Sequence, residues 1–308
     1  MTGAQRLQAF AALLGTIFLW GSGFIAVRAA VANGAYSAGQ LSEARLALAS
    51  LLLLVIVAAK RGIAVPQRRD WLAFLALGAT GQMLYQLLLN TGERTVDGGT
   101  AALLVSCAPI IAALLAVAFL GERLSWIGWV GTAVAFTGAT MIAVSSGASL
   151  SGSLGVLLIV AATLVWATYL VLQKSIASRY SSLELTVWPM WIGAVLLLPF
   201  SRGTVAAIRT APTPATLAVV WLAACSSVAG FLLWAYALKR LPVTVATSAL
   251  YCVPVAAFVL GVAVLQETPP ASALLGGVIA IVGVALVQLL GRPGGEAPAT
   301  AVPDPIES

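Results

Sequence analysis

The sequence predicts an all-α membrane protein with ten transmembrane helices in two inverted five-helix repeats. Composition is the first of three observations behind this. Of 308 residues, 61% are hydrophobic and only 8% are charged, whereas a soluble domain carries about a quarter charged residues. The second is the succession of apolar runs near 20 residues with short breaks, the pattern of a polytopic helical membrane protein. The runs lack the alternation of barrel strands, and in hydrocarbon each segment must satisfy its own backbone N–H and C=O groups.

The third observation is an internal duplication. The stretch Ala101 to Gly138 recurs, shifted by 145 residues, as Ala246 to Gly283. Twelve of 38 positions are identical without a gap, among them Cys107/Cys252, Pro109/Pro254, Glu122/Glu267, Gly131/Gly276 and Gly138/Gly283. Chance in so biased a composition gives roughly a tenth of positions, about four. The first spans match too: Leu19–Arg28 parallels Val165–Lys174, aligning Trp20 with Trp166 and Arg28 with Lys174.

In chain order the first span covers 8–31 and carries Trp20-Gly21-Ser22 and Arg28. It is too long and too punctuated by Trp and Arg for a cleaved signal, so it stays as a span. The second, 38–59, opens with Glu43 and Arg45 before an unbroken apolar run. The third, 71–90, holds Gln82, Tyr85, Gln86 and Asn90, and the fourth, 99–120, holds Ser106, Cys107 and Pro109. Glycines 128, 131 and 138 mark the fifth span, 125–145, and Trp166 and Tyr169 the sixth, 154–174. The seventh, 183–200, contains Trp188 and Trp191; the eighth, 215–237, contains Trp234 and Tyr236. Tyr251, Cys252 and Pro254 lie in the ninth, 243–265, and Gly276 and Gly283 in the tenth, 271–290. Short connections leave no room for an inserted soluble domain. One transmembrane domain therefore covers 1–290, with repeats of about 8–147 and 148–290. The tail 291–308, rich in Pro, Gly and Ala, reads as a disordered cytoplasmic extension.

Charge sets the orientation. With the N-terminus in the cytoplasm, the inner side collects Arg6, Lys60, Arg61, Arg68, Arg69, Arg123, Lys174, Arg179, Lys239, Arg240 and Arg292, against Arg94, Arg202 and Arg209 outside. That bias places both termini in the cytoplasm. Five spans per repeat is an odd number, so the second copy enters from the opposite face. The charges follow: Glu122-Arg123 inside becomes Glu267-Thr268 outside, and Arg94-Thr95 outside becomes Lys239-Arg240 inside. Inverted repeats are an architecture of alternating-access transporters.

The residues also carry a family likeness. Trp20-Gly21-Ser22 with Arg28, Arg45 opening RLALASLLLL, and Pro109 followed by Leu120-Gly121-Glu122-Arg123, echoed by Trp166-Ala167, Pro254 and Glu267, resemble the drug/metabolite transporter superfamily of EamA type over roughly residues 8–290. The resemblance implies a carrier of small metabolites in the cytoplasmic (inner) membrane, often an exporter of amino acids or related solutes. It implies that spans 1–4 and 6–9 surround a central cavity, with spans 5 and 10 peripheral.

Intramembrane charges are expensive, about 2.5–3.5 kcal/mol on insertion scales, and are functional candidates for that reason. Arg45 is a candidate anchor for a substrate carboxylate, its planar guanidinium offering a two-pronged donor; a structural contact to carbonyls at a helix end is the competing reading. Arg28 and Glu43 form a candidate coupling group or a structural interfacial ion pair. In the coupling reading Glu43 exchanges a proton as the carrier alternates, with Arg28 as its partner in one state. Pro109 and Pro254 each remove an N–H inside a span, serving either as fixed kinks or as hinges; Ser106 and Tyr251 sit at equivalent positions beside them and are candidates to line the substrate cavity. Trp20, Tyr85, Gln86 and Trp166 are candidate cavity residues at mid-span, while other Trp and Tyr residues belong to the interfacial belt. Glu122 and Glu267 read as turn or N-capping residues. The glycines of spans 5 and 10 allow close helix approach, used either internally or as a homodimer face.

These observations also exclude classes. With no histidine, no HExxH and no Gly-x-Ser-x-Gly elbow, neither catalysis nor a metal site is expected, and no cofactor is implied. Cys107, Cys225 and Cys252 lie within apolar runs as small packing residues. The formal charge of +6 reflects the positive-inside bias, so no nucleic-acid partner is expected; the partners are a small-molecule substrate and the lipid bilayer. A channel or a non-transporting scaffold is the alternative to a carrier. Substrate, flux direction and energy source are not written in the sequence.

Overall fold

A computed structural model describes residues 3–31, 34–60, 62–108, 110–111, 114–115, 125–145, 154–176, 179–181, 183–238, 250–266 and 269–290. Pro109, the Glu122-Arg123 break, Glu267 and the tail 291–308 lie outside the described residues, as does the side chain of Tyr251.

Every regular element among the described residues is helical. The helices are α1 (Gly3–Val31), α2 (Ala38–Ala59), α3 (Arg68–Gly92), α4 (Gly98–Val105), α5 (Trp126–Ser145), α6 (Leu154–Ile176) and α7 (Glu184–Leu197). They continue with α8 (Thr204–Thr210), α9, α10 (Val253–Leu265) and α11 (Ala271–Leu290), α9 running as Thr213–Trp221, Leu222–Ala229 and Gly230–Leu238. Helix is found within each of the ten apolar runs. Among the described residues, five helices are long and apolar enough to cross a membrane, or six when Glu184–Phe200 and Thr204–Thr210, bent by 86°, count as one span. Helix α8 was not foreseen. It starts after Gly203, whose φ of 79° gives the chain a left-handed step that glycine takes without steric cost.

Local chemistry explains the starts. Ser37 caps α2 in a capping box with Gln40, and Asp97 caps α4 by accepting the N–H of Thr100 at 2.8 Å. Ser181 and Glu184 exchange the same reciprocal bonds at the head of α7, 144 residues after the first box. Within the apolar helices, hydroxyls with no water to meet bond back to their own turns, as Thr16 does to Ala12 and Thr163 to Ile159.

The two halves also answer each other in ways the apolar pattern did not announce. Helix α3 carries a π-helical turn at Gly78–Leu84 and α9 one at Leu222–Ala229, equivalent positions under the 145-residue shift. The π turn of α3 packs on α7, and that of α9 on α2, again equivalent pairs. Ser106–Cys107 and Leu250–Cys252 are turns at matching places in the fourth and ninth runs. Pro254 therefore stands in the first turn of α10, just after a break, where a missing N–H costs nothing.

The closest helix contact joins α5 to α11. A Cβ on Gly138 would run into the backbone of Ala280 and Gly276, and one on Gly283 into that of Ala135 and Gly131. Each of these contacts maps onto the other under the repeat. The glycines are thus spent on an intramolecular contact, which gains its energy from backbone proximity because lipid offers no hydrophobic drive. Gly138→Leu is expected to cost about 1–3 kcal/mol by overpacking, read as a lowered melting temperature of the purified protein. Val282→Leu, on the exposed face of α11, should leave it unchanged.

Candidate functional site

The site is built on the face of α3 that carries Gln82, Gln86 and Asn90, continued by Glu93 just past the helix end, at spacings of four, four and three residues. All four are buried. A polar stripe inside an apolar bundle must find polar partners, and it finds them on α2 and on the π turn of α9. Asn90 Nδ2 donates to the hydroxyl of Ser42 at 2.8 Å, and that hydroxyl donates to the Ala38 carbonyl. Arg45, only 8% exposed, donates from Nε to Ser227 Oγ at 2.8 Å and from Nη1 to Gln86 Oε1 at 3.0 Å. Its Nη2 has no protein acceptor among the described residues. One guanidinium thus joins the first half to the second and keeps donors in reserve. The π turn matters here: such turns shift side chains out of α-helical register and gather at functional sites.

Aromatic rings flank this centre on two sides. Trp166 lies 4.9 Å from Tyr85 and stacks on Tyr169 at 4.8 Å, the Tyr169 ring lying where a Cβ on Gly81 would be. Trp20 packs on Phe231 and Trp234, its indole against Gly230. The rest of its motif is equally occupied. Gly21 lets α1 touch the backbone of α10, Ser22 accepts from Trp221 Nε1 at 2.9 Å, and Gly23 gives room to Ser226. Trp20 and Arg45 therefore approach the π turn of α9 from α1 and α2. Ser106 is half-buried and donates to its own helix at Leu103.

Arg28 reaches from α1 to the end of α3, where Nη1 donates to the carbonyls of Glu93 and Arg94 at 2.7 and 2.8 Å. Glu43 is 7% exposed, and its Oε2 has no hydrogen-bond partner among the described residues. Glu93, beyond the 71–90 span, is the more deeply placed carboxylate, 0% exposed. Close helix contacts flank this stretch of chain: Gly92 and Gly155 seat α3 against α6, and Gly98 seats α4 on the backbone of Phe24.

Two further networks join the halves away from this centre. In one, Arg179 Nη2 lies 2.9 Å from Asp70 Oδ1, and Tyr180 donates its hydroxyl to Asp70 Oδ2 at 2.8 Å while accepting the N–H of Gln67. Burial pushes the Tyr180 phenol above its ordinary value, so it remains a donor at neutral pH. Glu184 accepts the N–H of Ala64 at 3.0 Å beside it. In the other, the hydroxyls of Tyr36 and Thr216 are 3.0 Å apart and Gln40 donates to the Arg202 carbonyl. Tyr36 and Tyr180, like Gln40 and Glu184, stand 144 residues apart, the same offset as the two capping boxes. A groove of about 590 Å³ lies elsewhere, between α3 and α7, lined by Trp71, Leu75, Trp188, Trp191, Ile192 and Val195. It is apolar and carries none of the site chemistry.

Comparison with known proteins agrees with this architecture. Residues 7–144 and 153–289 each match the model of the EamA-like transporter family. The chain is 42% identical over 284 residues, 91% of its length and 94% of the other's, to a probable terminal-alkyne amino-acid exporter of Streptantibioticus cattleyicolor. It is 31% identical over 273 residues, 89% and 88% of the two chains, to the uncharacterised transporter YdfC of Bacillus subtilis. The uncharacterised inner membrane transporter YedA of Escherichia coli is 26% identical over 92% of both chains. A solved crystal structure superposes with a TM-score of 0.59 at 20% identity, covering 94% of this chain and 98% of that one, a likeness of fold.

Proposed function

This chain belongs to the EamA-like transporter family, and from that premise we propose that it exports a small amino-acid-type solute across the cytoplasmic membrane by alternating access. In this reading ten spans form two inverted halves. The observation that carries it is Arg45, buried in the apolar bundle yet bonded to Gln86 of one half and Ser227 of the other. A charge kept there at a cost of about 2.5–3.5 kcal/mol is well placed to hold a carboxylate, and its reserve donors suit a planar anion. The name of the 42% identical relative supports an amino acid as cargo. Matching π turns and the reciprocal glycine contact of α5 with α11 support two halves that move against each other. The Asp70–Arg179–Tyr180 network would close the cytoplasmic end and the Tyr36–Thr216 contact the outer end. With both formed and Arg45 sealed, the described conformation fits a closed state between the two open ones.

Purified protein in liposomes loaded with unlabelled L-propargylglycine, a terminal-alkyne amino acid, should take up the labelled compound by counterflow. Saturable, trans-stimulated uptake is expected. Uptake that is unsaturable would indicate a channel, and no uptake with any pooled amino acid would remove the carrier reading. Orientation has its own test. Single cysteines in the 201–213 segment of a cysteine-free background should react with an impermeant maleimide from outside, and those at both termini only after lysis. Opposite labelling of the two termini would break the ten-span arrangement.

A further inference from the structure

We propose that the apolar groove between α3 and α7 seats an acyl chain of an anionic phospholipid, whose headgroup phosphate is held by Arg68 and Arg69. The groove has a volume of about 590 Å³, with Trp188, Trp191, Ile192 and Val195 on its α7 wall and Trp71 and Leu75 on its α3 wall. The four α7 positions share one helix face. Gly78 and Gly193 hold the two helices in close contact, a Cβ on the first meeting Ile192 and on the second Gln82. The groove beside that contact is therefore a fixed product of the packing. Hydrogen bonds set its indole walls: Trp188 Nε1 donates to the Ala64 carbonyl at 3.0 Å and Trp191 Nε1 to that of Ser50 at 3.3 Å. Trp71 meets Trp188 edge-on at 5.4 Å. A hydrocarbon chain fills such walls without leaving a polar group unpaired.

Charge names the headgroup. Arg68 and Arg69 directly precede Trp71 and are exposed. The neighbouring carboxylates are committed elsewhere: Asp70 to Arg179 and Tyr180, and Glu184 to the N–H groups of Ala64 and Ser181. Tryptophans gather at the depth of lipid headgroups, so the end of the groove that carries Trp71 brings the arginine pair level with the phosphates. On the topology proposed above this is the cytoplasmic leaflet, where basic residues beside a crevice between spans bind anionic headgroups. A zwitterionic lipid carries a cation that offsets its phosphate, whereas an anionic one keeps its full charge for the arginines. A second copy of this chain fits less well. A two-fold contact sets the same patch on both partners, which would bring one arginine pair against the other. Because α3 belongs to the first half and α7 to the second, a seated lipid bridges the halves.

The test is photolabelling of the full chain in phosphatidylcholine liposomes. A trace of phosphatidylglycerol with a diazirine in its acyl chain is added, the sample is irradiated, and labelled peptides are identified by mass spectrometry. Label should concentrate on 71–75 and 188–196, and a phosphatidylcholine probe with the same chain should label these peptides far less. In the double variant Arg68→Gln, Arg69→Gln, the mole fraction of unlabelled phosphatidylglycerol needed to halve the labelling should rise about 30-fold. Val195→Trp, at an exposed position on the groove wall, should fill the groove and abolish labelling by either probe. All three substitutions are at exposed positions, so unchanged melting temperatures are expected and establish that the variants fold. Label spread evenly over the lipid-facing helices, equal labelling by the two probes, or no response to the double variant would overturn the proposal. So would an unlabelled groove in a dimer that Val195→Trp dissociates, which would assign the groove to a second copy. None of these outcomes bears on the export reading, which counterflow tests separately.

Discussion

Replacing Arg45 with glutamine should abolish counterflow while leaving the protein folded and no less stable. Hydrogen bonds to a charged group are each worth about 1.5–3 kcal/mol. Losing a two-pronged grip on a carboxylate should lower kcat/KM by about 100-fold or more. The stability effect has the opposite sign. Arg45 is buried among apolar helices, and removing a charge from hydrocarbon recovers about 2.5–3.5 kcal/mol of insertion cost. A glutamine amide ends near the position of Arg45 Nε, within reach of Ser227. The melting temperature of the detergent-purified variant should therefore hold or rise as transport disappears. Arg45→Lys keeps the charge without the fork, and about a tenfold loss is expected. A variant that melts lower but still transports would mark Arg45 as a structural tie between the halves, and the solute would then bind elsewhere on the stripe.

Much of this was legible in the sequence because the bilayer simplifies the problem. Apolar runs of spanning length must be helices, and the helices lie where the runs lie. Arg45, Gln86, Tyr85 and Trp166 stand out because polarity inside an apolar run is conspicuous; in the structure Arg45 bonds Gln86 and Tyr85 packs on Trp166. The remainder depends on which helices touch. Glu93 reads as a loop residue because Gly92 precedes it and Arg94-Thr95 follow. Yet it is buried, in a stretch of chain where α3 packs closely on α6 and α4 on α1. A signal was present in the spacing 82, 86, 90, 93, one face of a helix carried past the end of the apolar run. The π turns left no comparable trace, since each departs from α-helix by a single hydrogen-bond register within an unbroken apolar stretch. Pro254 lies in the first turn of α10, directly after the short turn at Leu250–Cys252.

Weakening the Asp70–Arg179 pair should open the cytoplasmic end selectively. Asp70 is 4% exposed and takes Arg179 and Tyr180 on its two oxygens; its counterpart network on the other side, Tyr36 with Thr216, is uncharged. Arg179→Gln leaves a buried carboxylate with only the Tyr180 hydroxyl. The loss of a charged partner is worth about 1–3 kcal/mol, and the low end applies because the Arg179 side chain is 36% exposed and screened by water. About 1 kcal/mol is a fivefold shift in population. In a cysteine-free background, Ser226→Cys reports on the buried π turn of α9. In inside-out vesicles it should react about fivefold faster with a cytoplasmic maleimide when Arg179 is glutamine. Labelling from the outer side should fall. High salt should reproduce part of this change in the otherwise native protein, because ions screen a half-exposed pair, whereas Tyr36→Phe should favour outer labelling with no salt dependence. Equal labelling from both sides, with only a lowered melting temperature, would reduce the network to a fixed tie and move the cytoplasmic closure elsewhere.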